Sequence, residues 1–181
     1  MSLLIDVTGL LRRADIPHAV IGAAALAVHG VARATADLDL FALDPACLEQ
    51  SLWSQLRSES AAVEIRHGDT LDPLAGVVRF ESSDGDRVDL VVGRHAWQRE
   101  LLDRALRTEL RGAPVPVVRA ADLVLLKLFA GGSQDAWDID QLLDLDEGAA
   151  IVERVEAALP DLPDECAALW RRILEQREAS T

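Results

Sequence analysis

Leu3, Leu4, Val7, Leu10 and Leu11 recur at the spacing of one helix face, which predicts an amphipathic helix running to about Ala14. Pro17 ends it, and His18-Ala19-Val20-Ile21 reads as a short buried strand. Gly22 breaks that strand. The alanine-rich stretch 23–29 favours helix, and Gly30 is placed to stop it. In Asp37-Leu38-Asp39-Leu40-Phe41 polar and apolar residues alternate with period two, the mark of a strand with one polar and one buried face. Asp44-Pro45 opens a further predicted helix with Leu48, Leu52, Trp53 and Leu56 as its apolar stripe. A strand is expected over 62–65 and a loop over 68–73. Two more strands, 76–80 and 87–92, flank Asp84-Gly85, a hairpin-turn signal. Helix is expected over 97–106, and 114–118 is a short extended piece.

From Ala120 onward only helices are predicted: 123–129, 134–145, 149–159 and 164–178, the last two separated by Pro160 and Pro163. Strand and helix thus mix up to about Val118 and give way to an all-helical tail. That order predicts an α/β (α+β) fold: a mixed sheet flanked by helices over 1–119, with a C-terminal helical cap, 120–181, packed on that core.

With 181 residues and half of them hydrophobic, the chain can bury a real core and is not wholly disordered. Its 18 Lys and Arg stand against 31 Asp and Glu, a net charge of −13. Such a balance argues against non-specific DNA binding and against adhesion to anionic membranes, both of which need a basic surface. A small substrate or a cationic partner fits it better. Arg99, Arg104, Arg107 and Arg111 lie near one another in sequence and are candidates for a local positive strip. Cys47 and Cys166 show no metal-ligand spacing and read as idle thiols. No apolar run reaches the ~18 residues of a membrane span. The N-terminal apolar run lacks a basic flank and is cut by Asp6, so a cytoplasmic location is expected.

Candidate chemistry centres on Asp37 and Asp39. Two residues apart on a strand, their side chains leave the same face with Cα atoms ~7 Å apart, while Leu38 and Leu40 point into the core. Neighbouring carboxylates repel unless a cation lies between them. Oxygen-only ligands suit Mg²⁺ or Mn²⁺ rather than zinc. The competing reading is the plain solvated face of a half-buried strand. Asp89 stands alone as an acid in the apolar strand 87–92, where an unpaired charge is costly, and is the candidate third carboxylate.

The order strand, glycine turn, short helix, Arg33-x-Thr35, then Asp37-x-Asp39, read from Ile21 to Leu40, resembles the opening motif of the nucleotidyltransferase superfamily, the polymerase-beta-like fold. Within it the likeness is to the small abortive-infection toxin-type (AbiEii-like) branch. Asp89 sits where that family carries its third catalytic acid, and the stretch from Lys127 to Ile139 looks like its late Lys…Asp-x-x-Asp helical motif. Where the family shows Gly-Gly or Gly-Ser at the turn, this chain has Gly22-Ala23, which keeps backbone N–H groups and loses the hydroxyl.

The resemblance implies a metal-dependent transfer of a nucleoside monophosphate from a nucleoside triphosphate to an acceptor hydroxyl, with release of pyrophosphate. Asp37, Asp39 and Asp89 would be the catalytic acids and would hold Mg²⁺ or Mn²⁺. Gly22, Ala23, Arg33, Thr35 and Lys127 would line the nucleotide site. Lys127 could equally pair with Asp135 or Asp138, and Arg33 with an acid. The acceptor is left open between a small molecule, a protein and a tRNA, and a toxin-like role implies an antitoxin partner. The alternative is a catalytically silent protein of the same fold that binds a nucleotide or a partner protein.

Overall fold

The computed structural model describes residues 2–33, 37–59 and 61–180. It falls into two compact units, Met1–Ala24 with Arg33–Val118, and Ala25–Ala32 with Arg119–Thr181. The sequence reading divides the chain once, after 119; the short stretch 25–32 also clusters with the C-terminal helices.

The first unit holds the strands β1 (His18–Ile21), β2 (Leu38–Ala42), β3 (Ala61–His67), β4 (Gly76–Ser82), β5 (Arg87–Val92), β6 (Leu106–Leu110) and β7 (Ala113–Val117). They form one sheet in the order β3-β4-β5-β2-β1-β7-β6. β3, β4 and β5 are an antiparallel meander, β2 runs parallel to β5 and antiparallel to β1, and β1 runs parallel to β7. The apolar set of period two, Leu38 and Leu40 with Val78, Phe80, Val88, Leu90 and Val92, is fully buried on one face. Helix α1 (Leu3–Arg13) lays its stripe of Leu4, Val7 and Leu11 into the same core, against β4 and β5. The hairpin at Asp84-Gly85 closes as expected: Gly85 takes φ +86°, and its N–H donates to Ser82 O at 3.0 Å.

Three local expectations are corrected. β2 begins at Leu38, so Asp37 lies in a bend just before it, since β1 turns into helix at Gly22 and the ladder has no further rung there. The helix expected from Pro45 is broken at Glu49, whose φ −91° and ψ 126° are extended. Two 3-10 turns, Pro45–Leu48 and Gln50–Trp53, precede the short α3 (Ser54–Glu59). Trp53 sets that shape: its indole N–H donates to the Cys47 carbonyl at 2.8 Å, and its ring meets Phe80 edge-on at 4.8 Å. Burial, with the Asp44 charge adding to it, pushes the Cys47 thiol up to about 12. Third, helix ends early, with α4 spanning Arg99–Asp103, and 106–110 is the strand β6. Arg111 and Gly112, with φ +50° and +77°, make the tight turn into β7.

The seam between β1 and β7 is short for a chemical reason. The Val118 N–H donates to Val20 O at 3.1 Å, and Val20 registers only with Val117. Residues 116 and 114 are both prolines on the same parity as 118, so their positions offer β1 no N–H.

In the second unit α5 (Ala120–Ala130) packs against α6 (Asp135–Leu143), α7 (Gly148–Ala158) and α8 (Asp164–Ser180). Gly131 at φ +63° caps α5, its N–H donating to Lys127 O at 2.9 Å. Arg177 of α8 ties α6 by ion pairs to Asp140 and to Asp144, the latter at 2.6 Å. No helix among the described residues is long and apolar enough to cross a membrane.

Candidate functional site

Helix α2 (Gly22–Val28) follows β1 directly. Gly22 takes φ +64°, and a Cβ placed on it would collide with Asp39 Oδ2 and lie 2.9 Å from Asp39 Cγ. Glycine is therefore required twice at this turn, by the backbone angle and by the carboxylate lying against it. Gly22→Ala is expected to cost about 2 kcal/mol or more in urea denaturation, from strain together with overpacking. A Gly22→Ala chain as stable as the parent would mean that Asp39 is not held against this turn.

The sheet's registers then line up one row of side chains across five strands. Ile21 pairs with Asp39, Asp39 with Asp89, Asp89 with Arg79, and Arg79 with Glu64. Two of the three expected acids, Asp39 on β2 and Asp89 on β5, are thus direct neighbours on a parallel pair, both half-buried. Asp37, exposed, stands two residues before Asp39.

Arg79 is the residue that sequence reasoning missed. Its Nε donates to Asp89 Oδ1 at 3.0 Å and its Nη2 to Asp89 Oδ2 at 2.8 Å, a two-pronged grip. The hydrogen bonds to Asp89 raise the Arg79 pKa still further above its usual range, followed by the charges of Asp89, Glu64 and Asp37. Asp89 reads from sequence as a lone acid in an apolar strand; the cost of that charge is met by a guanidinium on the next strand. The hairpin turn held the clue, since a turn centred on Asp84 places residue 79 opposite 89.

The remaining expected residues lie as follows. Ala23 occupies the second position of α2, and Arg33 is half-buried in the irregular segment after Val31. Thr35 lies outside the described residues. Lys127 is in the second unit, where its Nζ donates to Asp135 Oδ1 at 3.0 Å and to Asp138 Oδ2 at 2.5 Å. That ammonium is largely buried, and Asp138 is wholly so.

No family model matches the chain, and no curated protein does. Solved structures do. A nucleotidyltransferase-like antigenic protein from Paracoccidioides brasiliensis is 16% identical with a TM-score of 0.50, over 96% of this chain and 86% of that one. The lincosamide antibiotic adenylyltransferase LnuA, solved with lincomycin bound, is 13% identical with a TM-score of 0.50, over 78% of this chain and 94% of its own. This is the nucleotidyltransferase fold. At such identities the likeness speaks for architecture, and the chemistry has to be argued from the side chains.

Does the site suit the divalent cation that this fold implies? The chemistry of the donors does: Asp37, Asp39 and Asp89 are hard oxygen ligands of the kind Mg²⁺ and Mn²⁺ prefer. Their arrangement does so only in part. Both oxygens of Asp89 are engaged by Arg79, and among the described residues no three acids, histidines or cysteines are grouped to hold a metal.

Proposed function

We propose that the protein transfers a nucleoside monophosphate from a nucleoside triphosphate to an acceptor hydroxyl. The observation that carries this reading is the row in which Gly22 lies against Asp39 and Asp39 lies beside Asp89. It gathers acids on the exposed face of the sheet, at the end of β1 where helix α2 begins. In the reaction the acceptor oxygen forms a bond to the α-phosphorus, the bond from that phosphorus to the bridging oxygen breaks, and pyrophosphate leaves. The acceptor proton passes to a carboxylate, and Asp39 and Asp89 are the candidates. A divalent cation on Asp37 and Asp39, when bound, would neutralise phosphate charge and make the acceptor hydroxyl more acidic. The protein's own part is positioning. Gly22 and Ala23 let the backbone approach closely, and the paired strands fix the carboxylates in register. Net charge −13 favours a small hydroxylated acceptor over a tRNA. Assignment to the abortive-infection branch is supported by the order strand, glycine turn at Gly22, short helix, Arg33-x-Thr35 and Asp37-x-Asp39 along the chain.

The test is pyrophosphate release with each of the four ribonucleoside triphosphates, Mg²⁺ or Mn²⁺, and a panel of polyhydroxylated acceptors. Release that depends on both metal and acceptor supports transfer; none in any combination counts against it. The silent-binder reading is favoured by Ala23, which lacks the hydroxyl, and by the grip of Arg79 on Asp89. Its signature is a nucleotide-dependent rise in melting temperature without pyrophosphate.

A further inference from the structure

We infer that Arg79 is a built-in counter-ion that holds Asp89 while no divalent cation does, and that a cation using Asp89 has to displace it. This rests on the transferase reading above and deepens it, because it sets when the third carboxylate is available. Four observations support it.

The grip takes one site on each carboxylate oxygen, so a metal approaching Asp89 meets a guanidinium charge already in place. The grip is built into the sheet, since Arg79 faces Asp89 directly in the β4–β5 register and Asp89 faces Asp39 in the β2–β5 register. Asp39 and Asp89 stand side by side on adjacent strands, and Arg79 supplies a positive charge directly to Asp89.

Arg79 also has somewhere to go. Its side chain is 46% exposed, and on its other flank it faces Glu64 across the β3–β4 ladder. Beside it opens a cavity of about 340 Å³ lined by Glu64, Arg66, His67, Asp72 and Val77, with Arg79 at its wall. Glu64 at present accepts from Arg66 Nε at 2.9 Å, an exposed pair of the kind that exchanges partners at little cost. A guanidinium swung from Asp89 towards Glu64 exchanges one carboxylate for another and leaves Asp89 open. The arrangement therefore has two states in which Asp89 faces a positive charge, with Arg79 on Asp89 or with a metal on Asp89 and Arg79 on Glu64. Metal occupancy at the third carboxylate and the position of Arg79 are two readings of one equilibrium.

The test is Mn²⁺ binding to the full chain without nucleotide, followed by the loss of the free-ion paramagnetic resonance signal, with circular dichroism confirming the fold of each variant. Arg79→Gln is expected to tighten Mn²⁺ binding about five-fold or more by freeing Asp89 and removing a nearby positive charge. Asp89→Asn is expected to weaken it. In the Asp89→Asn background, Arg79→Gln is expected to add less than two-fold, because the group it frees is gone. Arg79→Lys keeps the charge but loses the two-pronged grip, and should fall between the parent and Arg79→Gln; it stands in if Arg79→Gln does not fold. Equal tightening with and without Asp89 would overturn the inference, as would no tightening in Arg79→Gln. Failure of the transferase reading looks different: Mn²⁺ affinity would then be indifferent to Asp37→Ala and Asp39→Ala, whatever Arg79 does. A chain that binds no Mn²⁺ in any variant overturns both.

Discussion

Asp39→Ala is expected to lower pyrophosphate release on the order of 10²–10³-fold while leaving the melting temperature within a few degrees of the parent. On the proposed transferase reading, the size of the first effect follows from Asp39 holding the cation that would neutralise charge on the transferring phosphoryl group, a part that water does not replace. The absence of the second follows from the row. Asp39 is half-buried with Asp89 as its neighbour, so removing it relieves repulsion between like charges on adjacent strands. The carboxylate also lies against Gly22, and its removal gives the turn more room. The check is steady-state pyrophosphate release beside a thermal melt. Activity retained within three-fold would take Asp39 out of the reaction. A collapse in melting temperature would make it a structural residue.

The largest effect on stability is expected in the helical unit. Lys127→Met should cost about 3–5 kcal/mol in urea denaturation, because it strips the ammonium from a carboxylate that has no access to water. Asp138 is 0% exposed and Lys127 only 8%, and Asp135 closes the other side of the same ammonium. Breaking one side of such a pair is costlier than replacing both. The double variant Lys127→Met/Asp138→Leu should therefore recover most of the loss, and the non-additivity measures the coupling. A single-variant loss under 1 kcal/mol would show that Asp138 does not depend on this partner.

Much of this was legible in the chain because the signals were local. The period-two runs at 38–42 and 87–92 and the Asp84-Gly85 turn fixed the strands that carry Asp39 and Asp89. Helical spacing in Leu3 to Leu11 likewise fixed α1. β6 was hidden because Leu106-Arg107-Thr108-Glu109-Leu110 follows directly on a helix and alternates only weakly. Its partner strand carries two prolines, and the turn between them takes an unremarkable-looking Arg111 to positive φ. The break at Glu49 answers to Trp53, whose hydrogen bond to Cys47 is a tertiary fact. Arg79 was hidden in a subtler way. A half-buried acid asks for a positive charge, and only the register of one hairpin shows that Arg79 stands opposite Asp89 to supply it.

Both thiols of the chain are sequestered: Cys47 is 0% exposed, Cys166 is 3% exposed, and burial raises the pKa of each. A maleimide or disulfide reagent therefore meets almost no thiolate on the folded molecule. Dyes can be attached at a newly introduced surface cysteine without background. On the unaltered chain, the rate of alkylation becomes a clock for how often each unit opens.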